Sequence, residues 1–388
     1  MSLSEQEYQQ AFYHCKRYLP GAWTKVTRDQ VVISPVAGGM TNLLYRCQLT
    51  EQVELYASEP REVLLRIYGP AKGDIEVEIE IFNRLASAGL GPKLLSSFEG
   101  GRFEQYLPSN PLKHEEMIDD SVASVVAHKI ASIHKLNIER LDTKSRWLVD
   151  RYRSYQVFID DARVLPLQFN NFIPQSSRDK AKYLLEIDFE TEITFLEDLF
   201  KRTQIEPLVF SHNDLHQNNV ILLLDKDLNL EDRIVLIDFE YSSYNYRTFD
   251  LANHLSEWCF DYNNDDYPYF HFSLNRFPSN DKQRQFIAHY IDGLRSQSNE
   301  SRKPEVNGSN SLSKEEMVEE LLEEMQSCLM ACNLLWTMWA IRSALTSTIV
   351  FGYWEMAESK WDCYLLTKKQ FEQRSSQRRS ANRRNSTD

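Results

Sequence analysis

Residues 210–222 read FSHNDLHQNNVIL, and shortly after them residues 234–240 read IVLIDFE. In the first segment a polar loop between two apolar runs carries a carboxylate, Asp214, and an amide five residues later, Asn219. A tight loop can aim both side chains at one point. In the second, Asp238 ends a hydrophobic strand, where its ionised form needs a cation or hydrogen-bond donors to offset desolvation. Magnesium is the natural candidate for that cation. Either segment alone reads equally well as a surface loop, because Asp and Asn stabilise turns through local hydrogen bonds. Together, in this order and a strand-length apart, they are far more specific.

Phosphotransferases use this arrangement: one Asp receives and orients the acceptor hydroxyl, while an Asn and a second Asp hold the magnesium that neutralises the phosphates. Asp214 takes the first role and Asn219 and Asp238 the second, with Glu240 a further acid for a second metal or its surroundings. His212 reads as structural, a loop-orienting hydrogen-bond donor, because nothing beside it suggests a Ser or Cys nucleophile. Upstream, residues 36–42 (VAGGMTN) lie between two β patterns, and the pair Gly38 and Gly39 lets the backbone approach a phosphate without a Cβ in the way. An ordinary hairpin turn explains that stretch equally well. In residues 63–68 (VLLRIY), Arg66 lies mid-strand among apolar residues and must be paired to be tolerated there. Glu78 is the expected partner, which leaves Arg66 reaching for nucleotide phosphates as the strand lysine does in protein kinases.

The surrounding chain is consistent with an enzyme of two lobes. It has 388 residues, 57 acids against 44 Lys plus Arg for a net charge of −13, and 42% hydrophobic residues. The acidic balance argues against a nucleic-acid partner, which needs a basic surface to displace counterions. Short β segments with turn residues occupy 31–106, and helical spacing begins at Ile118, so the fold class is α+β. The expected division is a β-rich N-terminal lobe at 1–107 and a mainly α lobe at 108–371. A polar, mobile insertion falls near 296–314, and a disordered basic tail at 372–388. Residues 75–85 fit both periods and are read as a helix; 180–202 and 314–360 are read as long helical stretches. The longest uncharged run in the apolar C-terminal half, 327–341, is short of a membrane span. The first ten residues lack an apolar signal core, so a cytoplasmic setting is expected. Six cysteines without a CxxC pair read as reduced, mostly buried thiols.

The 36–42 and 212–219 segments, GPKL at 91–94, GRFEQY at 101–106 and IDFEYSSYNYR at 237–247 resemble the choline/ethanolamine kinase family, over roughly residues 31–366. The wording from Asp238 through Phe249, Asp250, Asn253 and His254 to Glu257 and Trp258 makes this resemblance specific. It implies a two-lobed protein-kinase-like fold, ATP and Mg2+, and transfer of the γ-phosphoryl group to the hydroxyl of a small amino alcohol. It places Gly38, Gly39, Met40, Thr41, Asn42, Arg66 and Glu78 around the nucleotide, and the adenine at the lobe connection, Gln105 to Leu107. It further implies a homodimer. By the same match the ammonium pocket is walled by Tyr262, Trp336 and Trp339, with Glu257 as the acid. A quaternary ammonium has no N–H to donate, so ring faces and an anion must hold it. On the residues alone, a Trp pair three apart reads rather as core packing.

Three places depart from the family wording. Leu215-His216-Gln217-Asn218 stands where choline-type members have Cys-Gln-Glu-Gly, and its Leu is like that of ethanolamine-type members. The 241–247 stretch follows the choline type. Met356 replaces a Tyr that closes the pocket in choline-type members, with Tyr353 and Trp354 nearby. Choline is the favoured acceptor. The alternatives are an ethanolamine kinase, an antibiotic-type phosphotransferase, and a catalytically silent kinase fold acting as a binding module. The last is disfavoured because Asp214, Asn219 and Asp238 are all present.

Overall fold

The computed structural model describes residues 3–36, 42–56, 58–69, 74–144, 146–164, 175–203, 207–296 and 312–385. The chain forms two compact units, Met1–Asn110 with Ile221–Glu240, and Pro111–Val220 with Tyr241–Asp388. This differs from a single cut after 107. Strand Val220–Leu223 lies between Ser109–Pro111 and Ile234–Leu236 in a three-stranded sheet, so the 221–240 hairpin is hydrogen-bonded to the chain leaving the first unit. Sequence proximity cannot show such a return.

The first unit is built on a five-stranded antiparallel sheet of order β1-β2-β3-β5-β4, with β1 Val31–Pro35, β2 Leu43–Leu49, β3 Glu62–Ile67, β4 Leu94–Phe98 and β5 Gly101–Gln105. Alternation along the strands sends Tyr45, Cys47, Val63, Leu65 and Phe103 into one core, which also takes Ala11 and Cys15 from helix α1, Glu5–Tyr18. That helix, absent from the sequence reading, starts with a capping box between Ser4 and Glu7. The other face of β3 and β5 carries Arg66, Arg102 and Glu104, also buried. Helix α2, Ile75–Ser87, takes up the ambiguous 75–85 stretch, and Asp74 caps it by accepting from Glu76 N and Val77 N.

The second unit is mainly helical, as expected, and centres on the helix Lys314–Thr346. This packs against Tyr353–Asn385, Phe249–Glu257, Trp147–Val164 and Asn280–Ser296. Lys314–Thr346 is long and apolar enough to cross a bilayer, yet 78% of its most apolar window is buried within the protein, so its apolarity serves the core. Both long helical stretches of the sequence reading are broken. The first divides into Arg178–Leu185 and Phe189–Thr203, with Asp188 accepting from Thr191 N at the new start. The second divides into Lys314–Thr346 and Tyr353–Asn385. Most of the expected insertion, 297–311, lies outside the described residues. The tail expected to be disordered is instead helical to Asn385. Gln373, Arg374 and Gln377 are good helix formers, which a reading of bulk composition overlooks. All six cysteines are free and buried.

Candidate active site

In the first unit, Arg66 projects from mid-β3, with only 8% of its surface exposed. Its partner is not Glu78. Arg66 Nε donates to Glu104 Oε1 at 3.0 Å, and Arg102 Nε donates to the same oxygen at 2.7 Å. Glu78, from α2, pairs with Arg102. The β3–β5 register sets Arg66 opposite Arg102 and Leu64 opposite Glu104, so Glu104 is the diagonal neighbour of Arg66 on the same face. Arg102 is nearer to α2 and takes its acid. Glu78 therefore acts through Arg102, and the expected direct contact with Arg66 is corrected.

Asp238 follows the strand Ile234–Leu236, and its Oδ1 lies 3.9 Å from Arg66 Nη1. Its φ is +64°, a left-handed conformation that costs a non-glycine residue and is held only where surrounding structure demands it. Burial opposes the charge on Arg66, but Glu104 and Asp238 hold its basicity above the ordinary range. Burial likewise works against the Glu104 carboxylate, and the two guanidiniums keep it below its ordinary range. Glu240, two residues past Asp238, is exposed. Gly38, Gly39, Met40 and Thr41 lie outside the described residues. Asn42 Oδ1 accepts from Gly69 N at 3.2 Å. Gln105 ends β5, where its backbone N donates to Lys93 O at 2.8 Å, and Leu107 O accepts from Ser109 Oγ at 2.9 Å.

In the second unit, the loop after strand Leu208–Ser211 is held from below by Asp250, a residue that sequence reasoning left without a role. Asp250 is fully buried at the start of helix Phe249–Glu257 and accepts from His212 N at 2.8 Å and Asn213 N at 2.7 Å. His134 Nε2 meets the same carboxylate at 3.1 Å. Burial alone would raise the Asp250 pKa, but the His134 contact and the amides hold it below the ordinary range. Asn213 has φ +69°, its side chain tied to Tyr241 O and Asn245. His212 is fully buried, and where a donor was expected its Nδ1 instead accepts from Asp214 N at 3.3 Å, because the turn points that backbone N–H back at the ring. Asn219 Nδ2 donates to Asp214 O at 2.8 Å and to Asp214 Oδ2 at 3.3 Å, so the loop does bring this acid and amide together.

A series of rings lies in the same unit. Trp336 meets Tyr241 at 5.4 Å and Trp339 at 5.6 Å between centroids, and Trp339 meets Tyr353 at 6.0 Å. From Tyr353 the series continues through Phe351 and Phe270 to Tyr262. Trp336 Nε1 donates to Asn253 and Trp339 Nε1 to Tyr241 OH, which fixes both ring planes. Tyr353 supplies a ring beside Trp339, while Met356 is buried. Tyr262 OH donates to Glu257 Oε2 at 2.8 Å; burial and the Glu257 carboxylate push that hydroxyl well above its ordinary pKa. Lys360, which sequence reasoning missed, pairs with Glu257 Oε1. His216 joins the acid loop to the rings, its Nε2 being 3.7 Å from Asp214 Oδ2 and its ring 5.6 Å from that of Tyr262.

Residues 33–365 match the choline/ethanolamine kinase family model. A choline/ethanolamine kinase of Rattus norvegicus is 36% identical over 372 residues, covering 95% of this chain and 88% of the relative. Choline kinase alpha of Mus musculus is 33% identical over 384 residues, covering 92% and 80%. The crystal structure of a choline kinase from Cryptosporidium parvum superposes with a TM-score of 0.72 at 22% identity, covering 95% of this chain and 97% of that one. The fold is thus that of the two-lobed, protein-kinase-like phosphotransferases. The chain belongs to the choline/ethanolamine kinase family.

Proposed function

We propose that the protein transfers the γ-phosphoryl group of ATP to the hydroxyl of choline, giving phosphocholine and ADP. The observation that carries this reading is the link within the second unit between an acid loop and a run of rings, Asp214 to His216 to Tyr262. Ring faces suit a quaternary ammonium, each contributing about 0.5–2 kcal/mol according to its desolvation. The hydroxyl of an alcohol whose ammonium is held there is offered to Asp214. Its oxygen attacks the γ-phosphorus, the bond to the β–γ bridging oxygen breaks with its electrons leaving on ADP, and the hydroxyl proton passes to Asp214 Oδ. The transition state is loose, so positioning and charge neutralisation dominate over covalent work.

Arg66 is assigned to the phosphates, and Glu104 keeps its guanidinium charged and oriented. The donor chemistry fits magnesium. Asn219 has its amide nitrogen committed to Asp214, which leaves its oxygen as the atom for a hard cation. Asp238 supplies a carboxylate, and among the described residues no three His, Cys, Asp or Glu side chains form a closed cage. Magnesium characteristically takes one or two protein oxygens and completes its shell with phosphates and water. Asn219 and Asp238 would hold it, with Glu240 as a further acid, and it would neutralise charge on the phosphates. The homodimer and the cytoplasmic setting belong to the same reading.

The test is Asp214→Asn, assayed with ATP, Mg2+ and choline. The expected outcome is a fall in kcat of about three orders of magnitude with ATP affinity largely retained. Unchanged turnover refutes the assignment. Assaying ethanolamine and its singly and doubly methylated forms beside choline ranks the acceptors.

A further inference from the structure

A buried lysine sits against the acid of the ammonium pocket. Lys360, on helix Tyr353–Asn385, has a side chain 2% exposed, and its Nζ bonds to Glu257 Oε1, itself on a side chain 5% exposed. The same Nζ lies 3.9 Å from the centroid of the Phe260 ring, which stacks on Tyr262 at 6.2 Å. The second Glu257 oxygen accepts from Tyr262 OH at 2.8 Å. Tyr262 is anchored in turn, since its backbone N donates to Gln217 Oε1 at 3.0 Å. A lysine so buried is tolerated only when paired, and the pair is neutral overall. Each oxygen of Glu257 thus already receives a donor from the protein, and its charge is met by a resident ammonium.

This rests on the ring series being the ammonium site of a choline kinase. We propose that Lys360 is a specificity-determining positioning residue, which neutralises Glu257 and so leaves selection of the substrate ammonium to ring faces. A trimethylated ammonium asks for nothing more than those faces. A primary ammonium brings three N–H donors that must find acceptors once water is stripped away, and the carboxylate that would serve is engaged on both oxygens. Sites select sharply when a polar group of the ligand is left unpaired. Lys360 therefore shifts the preference toward quaternary and away from primary amino alcohols. Sequence reasoning gave Glu257 a direct role as the counter-ion; here that acid is partly spent within the protein.

The experiment measures kcat/KM for choline and for ethanolamine with ATP and Mg2+ in the full chain, comparing wild type with Lys360→Met, Lys360→Arg and Tyr262→Phe. Lys360→Met releases Glu257 Oε1, and Tyr262→Phe releases Oε2 while keeping the ring and the buried ion pair. Both are expected to raise the ethanolamine-to-choline ratio of kcat/KM by about tenfold, mainly through a lower KM for ethanolamine. Lys360→Arg keeps the charge and is expected to keep the ratio. If Lys360→Met does not fold, Lys360→Gln, which keeps a donor to Glu257 but removes the charge, decides the role of Lys360 by the same ratio, with Tyr262→Phe reading the other oxygen. An active wild type with a ratio that none of these variants moves overturns the role of Lys360 and leaves the choline reading standing. A wild type that phosphorylates neither alcohol overturns both.

Discussion

Glu104 serves two cations at once, and the consequences are confined to a few side chains. Arg66 and Arg102 both donate to its Oε1, in a region where none of the three is more than 8% exposed. Glu104→Gln is expected to leave two buried guanidiniums short of charge and to destabilise the fold by about 3–5 kcal/mol, read as a lower urea midpoint. The pH dependence follows from the depressed carboxyl. The contribution of Glu104 is complete above its unfolded pKa and is lost as pH falls through the lower folded value. At this scale the sequence shows that a mid-strand arginine needs a partner, but the diagonal that supplies Glu104 depends on the β3–β5 register. Glu78 is closer along the chain, and that proximity misled the assignment. Asp214 and Asn219 were legible because a loop of six residues brings them together by itself.

Between Thr346 and Tyr353 the chain turns sharply, and this break places Tyr353 against Trp339. Gly352 makes the turn possible: a Cβ there would stand 2.2 Å from Pro268 Cβ and 2.9 Å from its Cα. Those neighbours include backbone and cannot swing away. Gly352→Ala is expected to cost about 1–3 kcal/mol through overpacking and to raise KM for choline by displacing Tyr353, with thermal melting and steady-state kinetics as the measurements. Helical periodicity runs across this break, because both flanking helices bury apolar faces. The same confusion joined Arg178–Leu185 to Phe189–Thr203. Elements with one strong pattern, such as β1, β2 and β3, were legible, and α2 was read as a helix from a stretch that fits both periods; α1 was not legible, its buried Ala11 and Cys15 being too small to stand out in a polar stretch.

Across the whole molecule, acid stability should carry the signature of His254. This imidazole is fully buried, and burial pushes its pKa down to about 4 against the opposing pull of the Leu215 backbone and the Glu257 and Asp250 carboxylates. The unfolded chain takes up that proton first, so the term is absent above about pH 6.5 and grows as pH falls toward 4. It reaches about 3 kcal/mol of destabilisation at pH 4 and about 2 kcal/mol at pH 5, and His254→Phe is expected to remove the latter part of the decline between pH 7 and pH 5 in urea unfolding. From local residues and their spacing alone, the chain determined an α+β fold, an Asp and an Asn on one loop, and an acid ending a strand. These are short-range properties, set by side-chain chemistry and periodicity over a few residues. Tertiary structure alone decided that 221–240 joins the first unit, that Asp250 braces the acid loop, and that Lys360 meets Glu257 across 103 residues of chain. Buried charges take whichever partner packing brings within reach, and that choice is made in space, long after sequence distance has ceased to matter.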